Sequence, residues 1–300
     1  MNQATSATNQ HTPTEGSPHG DSTSRRPTPE EFPASLVPHS GWHFLHLFYK
    51  IDRAALRGFS PEEKRLGREA FTAILGAKPE GVEQFQAFAV PGHKADFGLM
   101  LAGPDVKAIH GVQNALAASP LGAALHLAYS YVSLTEVLEY FPSPEQYSAI
   151  LRDREKLDPE SPTYKTKVAA YIQRYEPLTR QRLTPEFPDW PCLCFYPMSK
   201  TRQGEQNWYV LPFERRSELM SRHGQLGRTF AGKVSQLITG STGLDDWEWG
   251  VTLWARNPEF LKDIVYDMRF DETSAKYAAF GDFYFGYILP PEELVEVLRI

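Results

Sequence analysis

CLCFYPMSKTRQGEQNWYVLPFERRSELMSRHGQLGRTFAGKVSQ, residues 192–236, passes from a strand pattern through a helix pattern into the next strand. In LCFYPMSK, Tyr196, Met198 and Lys200 fall at every second position, so an extended chain turns all three to one face. LPFERRSELMSRHGQ reads as a helix carrying His223, with Arg216, Leu219 and Met220 on the same stripe. GKVSQLITGS and DWEWGVTLWA follow as strands. NPEFLKDIVYDM is a helix capped by Asn257 with Pro258 behind it. DFYFGYIL is a last strand and PPEELVEVLRI a closing helix. The order is β-α-β-β-α-β.

Upstream, the order recurs. WHFLHLFYKI, Trp42 to Ile51, is an aromatic-rich strand. Ser60, Pro61 and Glu63 form a proline-started capping box for a helix ending near Gly76. Val82–Val90 and ADFGLMLAG are strands joined by a PGHK turn. Pro104 and Asp105 open a second helix, and a strand starts at His126. The expected fold is therefore α+β: two ferredoxin-like βαββαβ repeats whose sheets pack face to face into one α+β barrel with helices outside. The expected divisions are a low-complexity tail at 1–38, halves at 39–140 and 191–300, and a connecting segment at 141–190. That segment carries seven prolines from Pro142 to Pro188 around short helical pieces. The tail, rich in Ser, Thr, Pro, Asn and Gly, is expected to be disordered.

The 300 residues are 41% hydrophobic and 13% aromatic, enough for a large core, and carry a net charge of -6, which disfavours a general nucleic-acid role. No apolar run reaches the length of a membrane span, and the N-terminus has no secretory pattern. The two cysteines, Cys192 and Cys194, sit two apart on one strand, poorly placed to bridge, and are expected as half-buried thiols of a reduced, cytoplasmic protein.

For the chemistry, His223 has two readings: a core histidine with a satisfied hydrogen bond, or an axial haem ligand on an inward helix face. Gly224 and Gly227 beside it permit close approach of a flat macrocycle. A phenol (Tyr196), a thioether (Met198) and an ammonium (Lys200) on one strand suit a redox pocket, and equally suit a barrel lining. Gln236, on the next strand, offers a neutral amide. Arg269 and Ser274 in MRFDETSAKY, and Arg182 and Tyr164 in the connecting segment, are the types that clamp carboxylates.

Taken together, PDWPCLCFYPMSKTR, NWY, HGQLGRTFAGKVSQLITGSTGLDDWEWGVTLWA and IVYDMRFDETSAKYAAFGDFYFG resemble the coproheme decarboxylases of the chlorite dismutase-like superfamily, over about residues 41–300. The resemblance implies a cytoplasmic, homopentameric enzyme. It would convert Fe-coproporphyrin III to haem b by oxidative decarboxylation of two propionates with hydrogen peroxide. It further implies His223 as iron ligand, Tyr196 as the radical-forming tyrosine, Lys200 as its aid at the propionates and Gln236 as the distal residue. Met198 would line the pocket, and Arg269, Ser274, Arg182 and Tyr164 would anchor propionates. Chlorite-degrading relatives carry arginine where Gln236 stands, so chlorite chemistry is expected to be weak. The imidazole and the phenol are expected to meet in the barrel cavity.

Overall fold

The computed structural model describes residues 34–137 and 139–300. The expectation for the tail falls almost wholly outside them.

Nine strands and nine α-helices are formed among the described residues. β1 is His43–Ile51, followed by α1 (Arg53–Gly58) and α2 (Pro61–Gly76). β2 (Gln84–Ala89), β3 (Phe97–Gly103), α3 (Val106–Ala118) and β4 (Leu125–Thr135) complete the first unit. α4 (Pro144–Asp153) and α5 (Pro162–Leu183) follow. The second unit is β5 (Cys192–Lys200), α6 (Phe213–Arg228), β6 (Val234–Gly240), β7 (Trp249–Ala255), α7 (Pro258–Met268), α8 (Glu272–Tyr277), β8 (Ala278–Phe280), β9 (Tyr284–Ile288) and α9 (Pro291–Leu298). Ser60 caps α2 through Glu63 N–H, and Glu63 returns the bond to Ser60 N–H, the box expected from the sequence.

Residues 141–190 carry longer helices than the short pieces expected. They hold a helical hairpin, with Ser143 capping α4 and Ser161 capping α5. Pro144 and Pro162 start these helices, where the missing N–H costs nothing. Pro177 lies inside α5, which runs 22 residues through it. A ladder of rings joins the pair: Tyr147 stacks on Tyr171 at 3.9 Å, and Phe141 on Tyr175 at 5.4 Å. That packing outweighs the cost of the interior proline.

The strands run β4-β1-β3-β2 in the first unit and β9-β5-β7-β6 in the second, all antiparallel. The two sheets join edge to edge. Phe88 and Ala89 pair with Ile288 and Tyr287 at one seam, and Leu134 and Thr135 with Gly240 and Thr239 at the other. The result is an irregular closed ring of eight strands, with β8 added beside the end of β5.

The interior of the ring is full. Phe44, Phe48, Phe88, Tyr131, Phe195 and Trp254 are buried there in one cluster. On β1 these alternate with Leu45, Leu47, Tyr49 and Ile51, which face α2, α3 and α9. Phe71 and Leu75 of α2, and Ile109, Val112 and Leu116 of α3, fill that outer face, at about 1.5–3 kcal/mol for each large side chain buried. Cys192 and Cys194 are fully buried rather than half-buried. They lie under Leu261 and Ile264 of α7, with the Cys192 thiol donating to the Ala255 carbonyl.

Candidate functional site

The outer face of the second sheet is covered differently. α7 packs directly on β5 and β7, whereas α6 packs mainly on α7 and α8 and stands away from the sheet. Under α6 lies a cavity of about 800 Å³, in the range of small-molecule sites. It lies outside the ring, which corrects the expected place for the chemistry. The ring's own inside is closed by the Phe44–Trp254 cluster.

Two facing walls define the cavity, and the segment after β4 closes one side of it. The sheet supplies Tyr196, Met198, Lys200, Gln236, Ile238, Val251 and Leu253. The helices supply Arg216, Met220 and His223 from α6 and Ile264, Val265 and Met268 from α7, with Arg269 and Ser274 beyond. Seven expected site residues are thus brought together: His223, Tyr196, Met198, Lys200, Gln236, Arg269 and Ser274. Two are not. The Tyr164 hydroxyl donates to the Ser148 carbonyl at 3.4 Å within the α4–α5 hairpin. Arg182 is not a lining residue; its neighbour in charge is Glu136 at the cavity edge, and burial lowers its pKa. The Tyr164 hydroxyl is thus spent inside the hairpin, whereas Arg182 Nη1 is buried without a hydrogen-bond partner among the described residues.

His223 is oriented by a carboxylate. Its Nδ1–H donates to Asp271 Oδ2 at 2.9 Å, and Asp271 also caps α8 through Ser274 N–H. This fixes the tautomer and leaves Nε2 free for a metal, the pattern in which a carboxylate behind the ring raises ligand basicity. Asp271 was not found from sequence. An Asp three residues before Ser274, opening a short helix, is the cap signal that marks it.

Tyr196 stacks on Phe283 at 4.3 Å and meets the edge of Phe280 at 5.8 Å. Burial raises its phenol pKa, so the O–H keeps its proton, while Arg269 nearby acts in the opposite sense. Arg269 itself lies over the Phe280 ring at 5.3 Å. Lys200 is 9% exposed. Its ammonium sits 4.3 Å from the Trp208 ring centre. Burial lowers its pKa to about 8, against the pull of Asp271 and Glu248. Trp208 is buried and also serves as the rest for this ammonium.

The set fits a porphyrin. Aliphatic and aromatic side chains flank a slot between sheet and helix, one imidazole stands on the helical wall, and Lys200, Arg216 and Arg269 are spread along its length.

A family model for chlorite dismutase matches residues 64–289. The chain belongs to the chlorite dismutase family. Within it, the chain is 38% identical to proteins named coproheme decarboxylase from Staphylococcus saprophyticus subsp. saprophyticus and from Staphylococcus carnosus. Each match covers 87% of this chain and 96% of the relative. A solved heme-binding protein from Thermus thermophilus is 35% identical with a TM-score of 0.71, covering 87% of this chain and 96% of that one. A chlorite dismutase from Candidatus Nitrospira defluvii, solved with imidazole, shares the fold at a TM-score of 0.65 and 16% identity, over 88% of this chain and 98% of its own. Among the described residues of this family member, no helix is long and apolar enough to cross a membrane.

Proposed function

We propose that this member of the chlorite dismutase family is a coproheme decarboxylase. It acts on Fe-coproporphyrin III and hydrogen peroxide and produces haem b. The observation that carries the reading is the meeting of His223 and Tyr196 from opposite walls of one cavity. The identity to relatives named for this activity runs along nearly their whole length.

The substrate brings its own iron, which would activate peroxide, the source of the oxidising equivalents. His223 Nε2 holds that iron, with Asp271 keeping the ring turned. Gln236, on the sheet wall, offers a neutral amide to the oxidant without adding charge. Tyr196, once oxidised, takes a hydrogen atom from a propionate β-carbon. Loss of a second electron and of carbon dioxide leaves a vinyl group. For each propionate one peroxide and one proton are consumed, and carbon dioxide and two waters are released. Lys200, with a pKa of about 8, binds the carboxylate or supplies the proton. Arg269 and Ser274 anchor further propionates and Met198 packs against the ring. Arg182 and Tyr164, from the hairpin, are assigned no contact with the substrate. The same family likeness extends the proposal to a cytoplasmic homopentamer, for which light scattering on the purified chain is the check.

Purified protein given Fe-coproporphyrin III and then peroxide is expected to yield haem b on chromatography; absence of any vinyl product overturns the reading. Tyr196→Phe is expected to bind the substrate and not turn it over. A second reading, a haem-binding module without chemistry, is favoured by the heme-binding neighbour from Thermus thermophilus. It requires Tyr196→Phe and wild type to be equally silent with peroxide.

A further inference from the structure

Arg216 lines the same cavity, seven residues before His223 on α6. Seven residues are close to two turns, so both side chains leave the same helix face about 10 Å apart along the axis. That is the scale separating the centre of a porphyrin from its acid side chains. The Arg216 side chain is 12% exposed.

Its neighbours hold it without neutralising it. Nε–H donates to the Tyr140 hydroxyl at 3.1 Å and Nη1 to the Leu211 carbonyl at 3.0 Å, both neutral acceptors. Tyr140 is itself fixed, stacked on Phe213 at 5.8 Å and edge-on to Trp208 at 6.4 Å. Burial pushes its phenol to about 12, so it remains a neutral acceptor. The third neighbour is charged. Glu139 Oε1 lies 3.6 Å from Nη2, beyond hydrogen-bond length, and its side chain is 52% exposed. Glu139 belongs to the segment after β4 that contributes Glu136, Val137, Glu139 and Tyr140 to the cavity wall. A guanidinium is thus oriented by neutral groups and has one edge facing a half-solvated carboxylate beyond hydrogen-bond length, itself steadied by the Tyr140 hydroxyl. A fork of this shape receives a carboxylate with two parallel bonds.

We infer that Arg216 is a carboxylate subsite of the porphyrin cavity, and that Glu139 is its displaceable resident, exchanged for a substrate propionate on binding. The inference rests on the proposed porphyrin substrate and adds to it a residue and an exchange. It assigns Glu139 a sign: the glutamate competes with the ligand, so its removal tightens binding.

The test is a Soret titration of the full chain with Fe-coproporphyrin III, without peroxide, in wild type, Glu139→Gln, Arg216→Ala, Arg216→Lys and the double variant. Arg216→Ala is expected to bind about tenfold or more weakly, the loss of charged hydrogen bonds. Arg216→Lys falls between it and wild type. Glu139→Gln binds several-fold more tightly, and this gain vanishes in the Arg216→Ala background, since the two side chains act as one unit. A purely structural pin predicts the opposite sign, because losing Glu139 would loosen the wall and weaken binding. Weaker or unchanged binding in Glu139→Gln, or a gain that persists without Arg216, overturns the inference. If wild type itself gives no Soret band, the porphyrin reading falls instead. Near-UV circular dichroism of each variant reports whether the cavity wall has kept its fold, and Arg216→Lys carries the test where Arg216→Ala has not.

Discussion

One nitrogen of His223 is committed to Asp271, and that commitment can be tested apart from the fold. Asparagine caps helices as well as aspartate does, so Asp271→Asn keeps α8 in place while removing the negative charge behind the imidazole. Its expected effect is a 10–100-fold loss of porphyrin affinity, the usual weight of such a partner, read as the dissociation constant from a Soret titration. Far-UV circular dichroism should be unchanged. Lys200 gives a pH test. Its pKa, lowered to about 8 by burial, means that the free site carries the ammonium below pH 8 and loses it above. A carboxylate ligand prefers the charged form, so porphyrin affinity is expected to fall as pH rises through 8. Lys200→Met should bind more weakly at pH 7 and show no break there. A wild-type affinity flat from pH 7 to 9 would remove Lys200 from the carboxylate contacts.

Elements differ in how openly the sequence declares them. The capping box of α2 was legible because each of its residues acts locally. α5 was not, since Pro177 punctuates a helix that the Tyr147–Tyr171–Tyr175 contacts keep intact. α8 was missed because six residues are too few to show a period. The shared face of Tyr196, Met198 and Lys200 followed from period two. Which side of the ring that face looks to did not, because β5 is covered on both sides and reads as a nearly continuous apolar run. The seam between β2 and β9 offers a test at this scale. A Cβ on Gly286 would lie 2.4 Å from Phe88 Cδ2 and 3.0 Å from the Ala89 carbonyl. Gly286→Ala therefore forces a fully buried ring and a backbone to move. It is expected to cost about 1–3 kcal/mol of unfolding free energy in a urea titration.

The whole molecule closes on two seams of two residue pairs each, so its integrity depends on what fills the ring. Among the fillers is a histidine. His46 is fully buried, lies 4.0 Å from Phe195 and 4.6 Å from Phe44 between ring centres, and bonds Thr252 Oγ1 through Nε2 at 2.9 Å. Burial lowers its pKa to about 3. Unfolded, it takes a proton near pH 6.5. Between those values the unfolded chain binds the proton and the folded one does not, so stability is full above pH 6.5 and falls with acid, by a few kcal/mol on approaching pH 3. His46→Leu with Thr252→Val is expected to flatten that part of the pH–stability curve, measured by urea unfolding of the ligand-free chain. An unchanged slope would place the acid sensitivity elsewhere.

Because the ring is plugged and the reaction space sits beneath a helix that stands off the sheet, the aromatic filling of the ring takes no part in lining the chamber, although the packing under α7 does. Selection can reshape the chamber for a bulkier, smaller or differently charged tetrapyrrole without reopening the hydrophobic interior. The same layout suits directed evolution: libraries confined to the cavity-facing positions of α6 and to Gln236 of β6 should yield mostly soluble, well-folded variants.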